Sequence, residues 1–141
     1  MIDVTSLKRI LVGVDGSENA LRAVEFAGTL AKGFDSEVTL VLVITPSDHD
    51  LLSGKATYME KGAKLGGERL KAAERLLGKI NVKYRSEVEL GHPAEQLLKL
   101  AEDHDLLVVG TRGLSPFKEA LIGSTSHRLV QGGKVPVLVV P

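Results

Sequence analysis

Apolar residues gather in five short runs along the chain, and four of these runs are almost free of polar positions. Residues 10–14 (ILVGV), 38–44 (VTLVLVI), 106–109 (LLVV) and 137–140 (VLVV) are built mainly from Val, Leu and Ile. Short runs of this composition predict strands, and their continuous apolarity predicts cover on both faces, as in a parallel sheet. The run at 82–90 differs, because Lys83, Arg85, Glu87 and Glu89 occupy every second position. That alternation predicts an edge strand with one face in water.

Helical spacing fills the intervals. Ser17 is placed to cap a helix whose apolar side is Ala20, Val24, Ala27 and Ala31, with Gly33 as its expected stop. Leu70, Ala73, Leu77 and Ile80 mark a second helix that starts near Lys55, and Gly62, Gly66 and Gly67 leave its continuity open. Pro93 suits the first turn of a third helix, with Ala94, Leu97, Leu98 and Ala101 inward. A fourth spans about 124–130. Strictly alternating strands and helices predict an α/β fold: one open parallel sheet, wound by right-handed crossovers, with helices on both faces. The longest loop is expected at 45–54.

The length of 141 residues fits a single domain spanning 1–141. Lys plus Arg equals Asp plus Glu, at 18 each, so neither a nucleic-acid partner nor a polybasic membrane surface is expected. The absence of cysteine excludes disulfides, thiolate nucleophiles and Cys-type zinc sites. Residues 1–7 lack the pattern of a signal peptide, and no apolar stretch reaches membrane-span length, so the expected address is the cytoplasm.

Ligands of open parallel sheets sit beyond the carboxyl ends of the strands, where the winding reverses. Two strand ends carry unusual chemistry here. The first strand runs into Gly13-Val14-Asp15-Gly16-Ser17, and the fourth into Gly110-Thr111-Arg112-Gly113. Further on, Gly123-Ser124-Thr125-Ser126 opens the last helix. Glycines let the backbone approach a ligand closely, and the free N–H groups of a helix start favour an anion. Ser124, Thr125 and Ser126 add hydroxyl donors, and Arg112 and Lys118 add positive charge. Together they suit a polyphosphate. Asp15 repels phosphate by itself, but it suits a ribose hydroxyl or a bound Mg2+ (or Mn2+); capping of the first helix is the alternative reading.

The spacing Gly110-x2-Gly113-x9-Gly123-Ser124 resembles the nucleotide motif G-x2-G-x9-G-[S/T] of the universal stress protein family. Residues 8–17 (KRILVGVDGS) resemble the family's opening strand and turn, and 135–140 (VPVLVV) its closing strand, so the resemblance covers nearly the whole chain. It implies a Rossmann-like five-stranded sheet of order 3-2-1-4-5, and membership of the ATP-binding subgroup. It places Asp15 near ribose, phosphate or metal, and the backbone of Val43 near adenine. It also places Gly110 and Gly113 along ribose and phosphate, and Gly123, Ser124 and Ser126 on the phosphates. One departure is Leu42, where a histidine is often found in the family. The resemblance further implies a homodimer through the C-terminal strand, which agrees with Pro136 opening an exposed edge.

Several chemistries lack their signatures. The nucleophile elbow G-x-S-x-G and the phosphate-loop pattern G-x4-G-K-[ST] are absent. The triplet Asp48-His49-Asp50 has no evident partner ligand. The expectation is therefore ATP binding in a stress-response regulatory module with at most weak hydrolysis; a slow Mg-dependent ATPase and a non-binding interaction module are the alternatives.

Overall fold

The computed structural model describes residues 6–45, 55–111 and 124–141, with 55–66 and 124–126 described as backbone only. The elements in chain order are β1 (Arg9–Val14), α1 (Glu18–Phe34), β2 (Glu37–Ile44), α2 (Lys55–Ile80), β3 (Tyr84–Leu90), α3 (Pro93–Ala101), β4 (Leu106–Gly110), α4 (Ser124–Gly132) and β5 (Val137–Val140). The five strands form one sheet of order β3-β2-β1-β4-β5, and every pairing is parallel.

Successive strand residues point to opposite faces, and this sorts the core into two layers. Ile10, Val12 and Val14 of β1 and Val38, Leu40 and Leu42 of β2 meet Ala23, Val24 and Ala27 of α1 and Leu70, Ala73 and Leu77 of α2. Leu11, Val41, Leu107 and Val109 point the other way, onto Ala94, Leu97 and Ala101 of α3 and Leu129 of α4. Leu97 and Leu129 are fully buried, and each such side chain contributes about 1.5–3 kcal/mol of burial energy.

The predicted elements form, and the structure sharpens three of their boundaries. First, α1 runs through Gly33 to Phe34, and Asp35 takes the left-handed conformation (φ 55°) while its N–H reaches the Ala31 carbonyl. Aspartate tolerates this conformation, so the glycine is not needed for the stop. Second, α2 is a single helix from Lys55, through the glycines that left its continuity open. The buried stripe of Leu70, Ala73 and Leu77 offsets their low propensity. Third, β3 begins at Tyr84 rather than Val82, because the Val82 N–H donates to the Leu77 carbonyl (3.2 Å) and so caps α2.

β3 is an edge strand. Lys83 and Arg85 lie 3.8 and 4.0 Å from Glu37, and Arg85 lies 3.8 Å from Glu87. Exposed pairs of this kind add little stability, but they keep the edge charged. β5 is the other edge, and Val137–Val140 carries no charge at all.

The amino-terminal end of the sheet holds a buried polar chain. His104 lies with Nδ1 2.8 Å from the Leu100 carbonyl and Nε2 3.0 Å from Thr39 Oγ1. The carbonyl accepts only, so Nδ1 carries the proton and Nε2 accepts from the threonine hydroxyl. Arg85 Nε donates to the same hydroxyl oxygen at 3.4 Å. Burial lowers the His104 pKa below 6.5; the Leu100 hydrogen bond opposes the shift, and Arg9 and Arg85 reinforce it.

Candidate functional site

β1 is flanked by β2 on one side and β4 on the other, so the winding reverses between β1 and β4. Their register pairs Ile10 with Leu106, Leu11 with Leu107 and Val12 with Val108. The carboxyl ends of these two strands, Val14 and Gly110, therefore come out side by side. A crevice at such a reversal is where open α/β sheets bind ligands.

The turn after β1 is fixed by its own side chains. Asp15 Oδ1 accepts from the Ser17 N–H at 2.8 Å, and Ser17 Oγ accepts from the Ala20 N–H at 3.1 Å. Ser17 is thus the cap of α1, as its position predicts. Asp15 is not the cap itself but holds the turn one step earlier, through the N–H of the capping residue. Gly16 between them has φ +89°, which a side chain rarely adopts. The Asp15 carboxylate is half-buried at the strand end.

Gly110 has a packing reason. A Cβ built there would lie 3.0 Å from both the carbonyl carbon and oxygen of Asn19, and 3.1 Å from the Asn19 Cβ. The first turn of α1 therefore rests directly on the end of β4. The next residue, Thr111, donates its N–H to the Val140 carbonyl at 2.9 Å, which ties β4 to β5. Arg22 completes the junction: its Nε donates to the Pro141 carbonyl at 2.8 Å, and its Nη2 donates to Asn19 Oδ1.

The other expected site residues fall as follows. Gly13 is buried within β1 opposite Val41, and Val43 lies half-buried one residue before the end of β2. Ser124 is the first residue of α4, with Thr125 and Ser126 in its first turn. The N–H groups of that turn have no acceptor within the helix. Arg112, Gly113, Lys118 and Gly123 lie outside the described residues, as does the Asp48-His49-Asp50 triplet. Among the described residues, no group of three or more His, Cys, Asp or Glu side chains could hold a metal. Asn19, Arg22 and Arg69 reach this end of the sheet without any motif to announce them, since their roles come from helix packing.

The family model "Universal stress protein family" matches residues 6–141. The chain belongs to the universal stress protein family. Universal stress protein MJ0531 of Methanocaldococcus jannaschii is 33% identical over 138 residues, covering 94% of this chain and 81% of its own. Universal stress protein YxiE of Bacillus subtilis is 31% identical over 149 residues, covering 94% and 97%. Among solved structures, universal stress protein UspA from Lactobacillus plantarum superposes with a TM-score of 0.82 at 20% identity, over 96% of this chain and 98% of that one. A universal stress protein in complex with cAMP gives 0.70 at 26% identity, over 95% of each chain. One from Archaeoglobus fulgidus in complex with dAMP gives 0.70 at 21%, over the full length of both. The sheet order of this universal stress protein, 3-2-1-4-5, is the one the resemblance implies. Among the described residues, no helix is long and apolar enough to cross a membrane.

Proposed function

We propose that this universal stress protein binds ATP in the crevice at the carboxyl edge of its sheet and acts as a dimeric, nucleotide-dependent regulatory module in the cytoplasm. The observation that carries the reading is the junction of three elements at one point. The Asp15–Ser17 turn, the Gly110 strand end and the α1 turn packed on it converge where the winding reverses. In this reading the backbone near Val43 meets adenine, and Gly13 and Asp15 border the ribose. Gly110, Arg112 and Gly113 line the ribose and phosphates, and Gly123, Ser124, Thr125 and Ser126 close on the phosphates. Asp15 would hold Mg2+ or Mn2+ there, and the ion would supply positive charge against the phosphates. The related structures with cAMP and dAMP support an adenine nucleotide as the ligand class.

The reading assigns binding with at most weak hydrolysis. Partner strand pairing belongs to β5, where Val137, Leu138 and Val139 are only half-buried on the open edge of the sheet. A two-fold antiparallel pairing of β5 with a second copy covers that edge. Calorimetry with ATP on the wild type and on Gly113→Val, with solution mass measured in parallel, tests the reading. Wild-type binding that disappears in a folded, dimeric variant is expected. A folded, nucleotide-free wild type that binds no ATP overturns the nucleotide reading, and a monomer mass at micromolar concentration overturns the dimer.

A further inference from the structure

The turn after β1 has a neighbour that comes from a distant part of the chain. Arg69, in the second half of α2, lays its aliphatic stem across Gly16. A Cβ built on Gly16 would lie 3.5 Å from Arg69 Cγ, 3.7 Å from its Cβ and 3.8 Å from its Cδ. These are ordinary van der Waals separations, so the stem lies alongside the turn at the distance of a side chain placed on Gly16. Gly16 itself stands between Asp15 and Ser17, the residues that shape the turn.

The guanidinium at the end of that stem is exposed, and among the described residues it takes part in no hydrogen bond or ion pair. Arg22, the other arginine at this junction, is committed to Asn19 and Pro141. The local charge is otherwise unfavourable to an anion, because Asp15 sits in the turn and Glu18 opens α1. A polyphosphate settling beside these carboxylates needs a cation to offset them, and a guanidinium gives charge-assisted, bidentate contacts to phosphate oxygens. An arginine whose stem is already packed loses less side-chain freedom on binding than one free in a loop.

We propose that Arg69 is a phosphate-contacting residue of the nucleotide site, anchored by its stem on Gly16 and reaching the bound phosphates with its guanidinium. The proposal rests on the nucleotide reading above and adds an element, α2, to which the glycine motif does not extend. It assigns Arg69 a part in preferring phosphorylated over unphosphorylated adenine ligands.

The test is calorimetry with ATP and with adenosine on wild type, Arg69→Gln and Arg69→Lys, adenosine being read by displacement of ATP where its direct heat is small. Glutamine keeps part of the stem over Gly16 and removes the charge. Thermal melts without ligand are expected to coincide for all three proteins, since Arg69 is exposed. The Arg69→Gln variant is expected to lose about tenfold in ATP affinity, the scale of one charge-assisted contact. Its adenosine affinity should stay within about twofold of wild type, and Arg69→Lys should recover part of the ATP affinity. Equal losses for ATP and adenosine would show that Arg69 only shapes the turn, and would overturn the proposal. Unchanged ATP affinity in Arg69→Gln would overturn it as well. A folded wild type that binds neither ligand overturns the nucleotide reading itself, and the assignment of Arg69 falls with it.

Discussion

Replacing Gly110 by alanine adds one methyl group where β4 meets the first turn of α1. The backbone at Gly110 is compatible with alanine, since its φ lies outside the positive region, so the whole effect comes from space. The new carbon would lie 3.0 Å from two backbone atoms of Asn19 and 3.1 Å from its Cβ. Unstrained carbon contacts begin near ~3.5 Å, so about half an ångström must be recovered. A backbone neighbour cannot rotate away as a side chain can, so the start of α1 must shift as a unit. Overpacking of this kind costs about 1–3 kcal/mol, and a backbone clash belongs in the middle of that range or above it. About 2 kcal/mol in a chain of this length corresponds to a fall in Tm of about 7 °C. The shift also carries Ser17 and the Asp15 turn with it, because both hydrogen bonds of the turn end on the start of α1. ATP affinity should therefore fall along with stability, by about tenfold for a misplacement of this size. Differential scanning calorimetry and isothermal titration on the same preparation check both numbers. A variant that melts with the wild type and binds ATP as tightly refutes the packing argument. A lower Tm with unchanged affinity keeps the packing but removes Gly110 from the positioning of the site.

Two further predictions concern the frame around the site. A Cβ added at Gly78, exposed near the end of α2, meets nothing within 4 Å, so Gly78→Ala should gain helix propensity without a clash. The expected gain is about 1 kcal/mol, read as a rise of about 3 °C in Tm; a loss would show that α2 does not pack as described. His104 should make stability depend on pH. Its pKa is lowered in the fold, chiefly by burial, so the folded chain holds fewer protons there than the unfolded chain does. Stability from this site is complete above the unfolded value of 6.5 and is lost as pH falls through it toward the lowered folded value. Arg9 and Arg85 press in the same direction, and the Leu100 hydrogen bond and Asp103 oppose them. Urea titrations of wild type and His104→Gln between about pH 8 and pH 5 should show the steeper acid loss in the wild type; parallel curves would refute the assignment.

The fold was legible because its signals are local. Continuous apolar runs mark β1, β2, β4 and β5, and the charged alternation of β3 marks its place at the edge. Element ends were less legible, because they depend on which groups are already occupied. Val82 looks like a strand residue, yet its N–H is spent on α2. Gly33 looks like a helix stop, yet Asp35 takes that role because an αL aspartate serves as well. The site was legible in part for the same reason. Asp15, Ser17 and Gly110 belong to short patterns with a mechanism of their own. Asn19, Arg22 and Arg69 do not: Asn19 enters through the packing of α1 on β4, Arg22 through a carbonyl 119 positions away in the chain, and Arg69 through the contact of α2 with the turn.

That distant carbonyl bears on how a nucleotide signal could leave the pocket. β5 ends at Val140, whose carbonyl takes the Thr111 N–H, and Pro141 takes the Arg22 Nε–H one residue later. Arg22 in turn holds Asn19, and Asn19 is the residue pressed against Gly110. The open edge strand and the start of α1 are therefore joined by one arginine and one asparagine. In the dimer proposed above, β5 is the strand that pairs with a second copy. Contacts already made in the single chain thus connect the start of α1, next to the Asp15 turn, with the end of β5. By linkage, if nucleotide binding favours pairing at β5, pairing favours nucleotide binding to the same extent. The glycine at 110 belongs to the same chain of contacts, because a Cβ there would press on Asn19, the residue that Arg22 holds.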